Sequence, residues 1–181
     1  DMLSRVHMRR KTQMGLMRAT EFPPGLILNR PQIMQNTLHL SRGDGTWTEI
    51  AQFAGLKATE WSWGVAFTDV DLDGYEDLIV ATGMIRDFMD TDTLSNNMGI
   101  GQDKYTKLIY PKLPTQNMIY RNQGDLTFEF KSDDWGFAKK ITDGDKIKYE
   151  KYKAVSGGLA QADFDGDGDL DLIFNNIEPL E

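Results

Sequence analysis

The chain has no cysteine among its 181 residues and only two histidines, His7 and His39. Disulfide staples and thiolate metal sites are therefore excluded, while the redox compartment stays open. Neither histidine adjoins a serine or carboxylate motif, and neither G-x-S-x-G nor H-E-x-x-H occurs, so nucleophilic and zinc chemistry have no visible residues. No apolar run is long enough to span a membrane, and the lack of a signal-peptide pattern carries little weight in a sequence that starts at Asp1 without an initiator methionine. Positive charge is also in short supply. The formal net charge is −8, which argues against a nucleic-acid partner. At 40% hydrophobic and 27% charged residues, what remains is an ordinary globular composition able to bury a core of about one domain.

The acidity is concentrated. Ten of the 28 acidic residues lie in two short stretches, five in 69–77 and five in 163–171. The stretches read DVDLDGYEDL (Asp69 to Leu78) and DFDGDGDLDL (Asp163 to Leu172). Aligned on the first aspartate, both place carboxylates at positions 1, 3, 5 and 9, glycine at 6 and leucine at 10. Alternating carboxylates followed by glycine wrap a hard cation, because glycine takes the sharp bend that folds later ligands back over the ion. Calcium is the expected ion, at two sites. In the first loop the side chains of Asp69, Asp71, Asp73 and Asp77 would bind, with the carbonyl of Tyr75. In the second, Asp163, Asp165, Asp167 and Asp171 would bind, with the carbonyl of Asp169.

A solvated acidic turn is the plain alternative, since aspartate and glycine favour turns. Charge repulsion opposes it. Two like charges about 4 Å apart cost roughly 4 kcal/mol at an effective dielectric of about 20, and neither loop carries its own counter-charge. An EF-hand is excluded because its loop needs a bidentate glutamate at position 12, where Val80 and Phe174 stand here. The flanking runs, Val65-Ala66-Phe67, Leu78-Ile79-Val80 and Leu172-Ile173-Phe174, are β-prone, which places each loop between two strands.

A second repeat lies between the loops. NTLHLSRGDGTW (Asn36 to Trp47) and NMIYRNQGDLTF (Asn117 to Phe128) match without gaps and read as strand, Gly-Asp turn, strand. GVAFTD (Gly64 to Asp69) likewise pairs with GLAQAD (Gly158 to Asp163). The hairpins are offset by 81 residues (36 to 117) and the loops by 94 (69 to 163), so an insertion of 13 falls in ITDGDKIKYEKYK (Ile141 to Lys153). The expected fold is all-β, built from β-propeller blades of four antiparallel strands, about two blades' worth cut out of phase, with long inter-strand insertions. Residues 1–35 are a connection of a preceding blade and 36–50 its second hairpin. Residues 64–131 form a complete blade, with strands at 64–68, 77–82, 117–122 and 127–131 and an insertion at 83–116. Residues 132–156 connect blades, and 157–181 are the first half of the next.

The combination N-x-hydrophobic-x-x-x-x-G-D-x-T-aromatic with D-x-D-x-D-G-x-x-D-L resembles the FG-GAP/VCBS-type repeats of integrin-alpha-like propellers, especially bacterial surface proteins similar to the cartilage acidic protein family. The likeness covers about residues 36–178. RRKTQM (Arg9 to Met14) and ATEWSW (Ala58 to Trp63) also look like that bacterial group. The resemblance implies a seven-bladed or similar propeller, calcium in the loop joining the first two strands of a blade, and secreted or surface-exposed roles in adhesion and binding. Leu126 departs from the pattern where Gly45 follows it, and the Phe-Gly…Gly-Ala-Pro signature of integrins is missing, so integrin-like ligand specificity is not implied.

Other features are weaker. Arg5, Arg9, Arg10, Lys11, Arg18 and Arg30, with Leu3, Val6, Met14 and Met17 at partly helical spacing, point to a short amphipathic helix packed on a propeller edge. GIG at Gly99 to Gly101 lacks the context of a dinucleotide motif. Trp47, Trp61, Trp63 and Trp135 are expected to fill space between blades rather than stack on sugars. The expected function is binding or adhesion to a protein or glycan ligand by an extracellular or cell-surface segment, without catalysis, packed against further blades of a longer parent chain or assembly. A secreted calcium-dependent carbohydrate-active enzyme, such as a polysaccharide lyase, is the alternative. Specificity is expected in the length-variable connections 83–116 and 139–153, the second Lys-rich with Tyr149 and Tyr152 interleaved.

Overall fold

The computed structural model describes residues 2–13, 34–96, 109–143 and 146–177. Met14, Met17, Arg18, Arg30, Gly99 and Gly101 lie outside them. In chain order the elements are α1 (His7–Thr12), β1 (His39–Ser41), β2 (Trp47–Glu49), β3 (Ser62–Thr68), β4 (Asp77–Thr82), β5 (Met84–Arg86) and α2 (Thr91–Asn96). There follow β6 (Lys112–Leu113), β7 (Thr115–Gln116), β8 (Met118–Asn122) and β9 (Phe128–Phe130), then β10 (Ala138–Asp143), β11 (Lys146–Lys151), β12 (Lys153–Ala154), β13 (Ser156–Ala162) and β14 (Asp171–Asn176).

The fold is all-β and its named pairings are antiparallel. β3, β4, β8 and β9 form one four-stranded sheet in that order, from the four segments that the repeat marks out. β4 sits in the middle, pairing Phe67 with Leu78 on one side and Tyr120 with Leu78 on the other. A central strand is covered on both faces, and its sequence shows it: Asp-Leu-Ile-Val-Ala-Thr is buried throughout. β3 alternates between half-buried and exposed positions instead.

The two faces of β4 serve different layers. Leu78 and Val80 pack with Met118, Tyr120, Ala54 and Leu56, each fully buried aliphatic side chain contributing roughly 1.5–3 kcal/mol. Ile79, paired with Ala66, faces the other way, toward the second sheet. That sheet is the β13–β14 hairpin, with β13 lying across β3 and β4. The approach is close at Gly64, where a Cβ would come within 3.1 Å of the Leu159 backbone nitrogen.

β1–β2 and β8–β9 close with the same turn. Thr46 donates its N–H and hydroxyl to Asp44, and Thr127 donates both to Asp125. This is why the repeat keeps G-D-x-T: aspartate accepts, and threonine two residues on supplies two donors. The same bonds hold the carboxyls of Asp44 and Asp125 below the ordinary aspartate value.

Several expectations meet differences. The insertion around Ile141 to Lys153 is no bare connection: β10 and β11 pair from Ala138↔Lys151 to Asp143↔Lys146 as a hairpin of their own. α1 forms where a helix is expected, yet buries no residue, and Val6 and Met8 stay exposed. Trp47 and Trp63 are also exposed, at 63% and 51%, rather than packed between layers. Trp63 stacks on Trp61 and donates its indole N–H to the Gly83 carbonyl.

Candidate metal centres

Each acidic loop joins two paired strands, β3 to β4 at 69–76 and β13 to β14 at 163–170. The internal hydrogen bonding is nearly the same in both. The first aspartate receives two backbone N–H groups from the turn: Asp73 and Gly74 donate to Asp69, at 3.0 and 2.8 Å, and Gly166 and Gly168 donate to Asp163, at 2.7 and 3.1 Å. The ninth aspartate reaches back to position 2. Val70 donates to Asp77 and Phe164 to Asp171, each at 3.0 Å. The loop thus curls so that its first and last carboxylates brace the backbone while other oxygen lone pairs stay available.

Glycine at position 6 takes a positive φ in both loops, 88° at Gly74 and 97° at Gly168. Position 4 does so too, and there the sequences differ: the second loop has Gly166 and the first has Leu72, at φ 58°.

Carboxylate oxygens of Asp69, Asp71 and Asp73 lie within 4.8 Å of one another, as do those of Asp163, Asp165 and Asp171. Asp167 falls outside the second group and instead accepts the N–H of Asp169, 2.9 Å away. Asp77 stands under the first loop, fully buried, accepting N–H groups from Val70 and, at 2.8 Å, from Asn122 on β8. Burial pushes its carboxyl above the ordinary aspartate value, and the charges of Asp71 and Asp73 push the same way, against those two hydrogen bonds. Asp171, its counterpart, is exposed, because no strand equivalent to β8 covers it among the described residues. Tyr75 and Asp169 occupy position 7 in the two turns, with side chains exposed.

The first loop is not without a counter-charge. Arg121 on β8 donates from Nε to Asp71 at 2.6 Å and from a terminal nitrogen to Asp73 at 2.7 Å. Reading the loops alone misses it, because the cation comes from a strand about 50 positions further along the chain. Arg121 stands in the hairpin repeat at the position of Leu40, and that replacement of an apolar residue by arginine was the available signal.

A second polar cluster was also not foreseen. Arg9 bridges Glu60 and Asp87, the second at 3.0 Å, and Glu60 accepts further bonds from the Ser4 hydroxyl and the Arg5 N–H. Gln13 holds the Ser4 N–H. RRKTQM and ATEWSW, far apart in sequence, are therefore joined through Arg9 and Glu60.

Hard oxygen donors on two matching strand-to-strand turns define a class of antiparallel repeat with acidic, cation-competent loops. Comparison with protein families agrees: the model of the FG-GAP-like repeat matches residues 26–80, which include β1–β2, β3 and the first acidic loop. No curated protein and no solved structure matches the chain.

Proposed function

We propose that this chain is a calcium-stabilised segment of an extracellular β-propeller of the integrin-alpha-like kind, with similarity to the cartilage acidic protein family, and that it acts in binding or adhesion rather than catalysis. The observation that carries the reading is the doubled loop. Two turns 94 positions apart (69 to 163) converge three carboxylates each with the same backbone bracing, an arrangement whose mutual repulsion a divalent cation relieves. Asp69, Asp71 and Asp73 would hold calcium in one loop, and Asp163, Asp165 and Asp171 in the other. The buried Asp77, the carbonyls of Tyr75 and Asp169, and Asp167 complete the oxygen set. The metal's part is structural: it fixes the turn and so the strands on either side.

Further blades supply the remaining packing. β14 has no second neighbour among the described residues, whereas its counterpart β4 is flanked on both sides. The missing neighbour comes from a longer chain or an assembly. No helix among the described residues is long and apolar enough to cross a membrane, and the ligand is a protein or a glycan met outside the cell.

Calorimetric titration of the chelated protein tests the metal reading. Two binding events are expected, with a rise in melting temperature by mass action. Asp71→Ala and Asp165→Ala should each remove one event and leave the other. No heat and no change in melting on adding calcium would overturn it.

A further inference from the structure

The two length-variable connections, separate in sequence, meet at one cavity. It has a volume of about 580 Å³ and is lined by Lys112 and Leu113 from the first connection, by Lys151 and Lys153 from the second, and by Arg5 and Arg9 from the N-terminal segment. Its position is set by register. The first acidic loop lies at the end of the main sheet where Asp77 begins β4 and Asn122 ends β8, whereas Met118 and Phe130, which also line the cavity, lie at the opposite end.

The charge there runs against the rest of the molecule. In a chain of net charge −8 with 20 Lys and Arg, five of those cations line this one cavity, and Glu60 is the sole acid among the lining residues. Glu60 is already satisfied by Ser4, Arg9 and the Arg5 backbone. Lys151 has Asp133 at 3.4 Å. Arg5, Lys112 and Lys153 have no carboxylate partner among the described residues. The guanidinium of Arg5 instead rests 3.6 Å over the ring of Phe130, which fixes it by a cation–π contact and leaves its edge donors for a ligand. Like charges brought together in a concave site focus a positive potential, and unpaired cations there favour an anionic occupant.

Size and shape select the kind of occupant. A protein partner needs a broad surface of about 800 Å² on each side, whereas a concavity of roughly 300–1,000 Å³ suits a ligand of a few sugar rings. We propose that this cavity binds a short anionic oligosaccharide, whose carboxylate or sulfate groups pair with Arg5, Lys112 and Lys153. This rests on the reading of the chain as a binding module and names the ligand class, while using none of the calcium ligands.

The test is calorimetry on the calcium-loaded chain at fixed free calcium, with four probes: a tetramer of uronic acid, a sulfated tetrasaccharide, a neutral tetrasaccharide and an Asp/Glu hexapeptide. Binding of the uronate or the sulfated probe, weakened by salt, is expected, and which of the two binds tells the anionic group recognised. Lys112→Glu/Lys153→Glu should lower that affinity tenfold or more, and Lys112→Gln/Lys153→Gln by less. Both variants should keep the melting temperature and calcium titration of the parent. Asp71→Ala/Asp165→Ala should retain saccharide binding. Equal binding of the neutral probe, tighter binding of the peptide, no binding of either anionic sugar, or undiminished binding by the lysine variants would overturn the proposal. So would loss of sugar binding on removing Asp71 and Asp165 alone, since calcium would then be the bridge. In each case the calcium titration reports separately on the scaffold.

Discussion

Arg121 Nε lies 2.6 Å from Asp71 Oδ2, so the first acidic loop shares its carboxylates with a cation of the protein's own. The second loop has no such partner among the described residues. A guanidinium and a divalent ion compete for Asp71 and Asp73, and whichever binds must tolerate or displace the other.

Arg121→Gln is accordingly expected to strengthen calcium binding at the first loop and leave the second unchanged. Removing that positive charge from beside a divalent ion relieves like-charge repulsion, and about tenfold tighter binding is expected. Without calcium the same substitution should lower the melting temperature only slightly, since a solvent-exposed ion pair contributes little. Calorimetry on Arg121→Gln beside the parent decides it; equal or weaker affinity at the first loop would sink the competition.

Two leucines stand where their repeat partners are glycine. Leu126 has φ 72° against 84° at Gly45, and Leu72 has φ 58° against 78° at Gly166. Leu72 is 79% exposed and Leu126 46%, so little packing is lost on replacing the first and only part of a side chain's packing on replacing the second. A left-handed conformation costs an L-residue roughly 1–2 kcal/mol, and glycine's greater freedom in the unfolded chain returns about 0.5–1 kcal/mol of that. Leu72→Gly is expected to stabilise by about 0.5–1 kcal/mol and Leu126→Gly by less, raising the melting temperature by up to a few degrees. A lower melting temperature in both would count against strain at these turns.

The same leucines show what was legible in the sequence. The ungapped match between residues 36–47 and 117–128 marks Leu126 as a departure, and the repeat offsets lead to the order β3-β4-β8-β9 because local pattern and pairing agree there. Convergence of the carboxylates follows from spacing within one turn. Arg121 showed only as an arginine in place of Leu40, and the Arg9–Glu60–Asp87 cluster and the basic cavity were hidden, since each depends on side chains brought together across the chain by strand register. The β10–β11 hairpin was overlooked although Lys146-Ile147-Lys148-Tyr149 alternates polar and apolar as a strand does; the length offset between repeats drew the segment as a connection instead.

Tyr120 carries a pH dependence. It is buried in the main core beside Met118, to whose sulfur its hydroxyl donates, and burial pushes its ionisation up to about 12. The unfolded chain releases that proton near the ordinary tyrosine value of about 10. The contribution to stability is therefore complete below pH 10 and is lost as pH rises from there toward 12. Of the six tyrosines, one should resist ionisation in an absorbance titration of the folded protein, and Tyr120→Phe should remove that late step. A single step in the parent, with all tyrosines ionising together while the fold persists, would contradict the burial.

The open edge of β14 leads to the last prediction. Ile173 is 50% exposed while its counterpart in the complete sheet, Ile79, is fully buried, and what differs is the strand that would lie beside it. In the complete sheet β8 is that strand, pairing Tyr120, Ile119 and Met118 with Leu78, Ile79 and Val80. The residues matching β8 in the earlier repeat are Thr37, Leu38 and His39, which lead into β1. Those matching β4 in the later repeat are Leu172, Ile173 and Phe174. One chain thus offers at one place the partner strand that another lacks, and pairing between them is heterologous, so it builds rings or open chains of copies. In isolation the protein is expected to associate head to tail in the register Leu172–His39, Ile173–Leu38 and Phe174–Thr37. With no native cysteine, the contact can be trapped cleanly. Leu38→Cys and Ile173→Cys proteins mixed with a short bis-maleimide should give a mixed dimer in good yield, while either alone should give little. A monomer by ultracentrifugation at all concentrations, with a sharp cooperative melt and no mixed dimer, would show that the edge is closed within the chain itself.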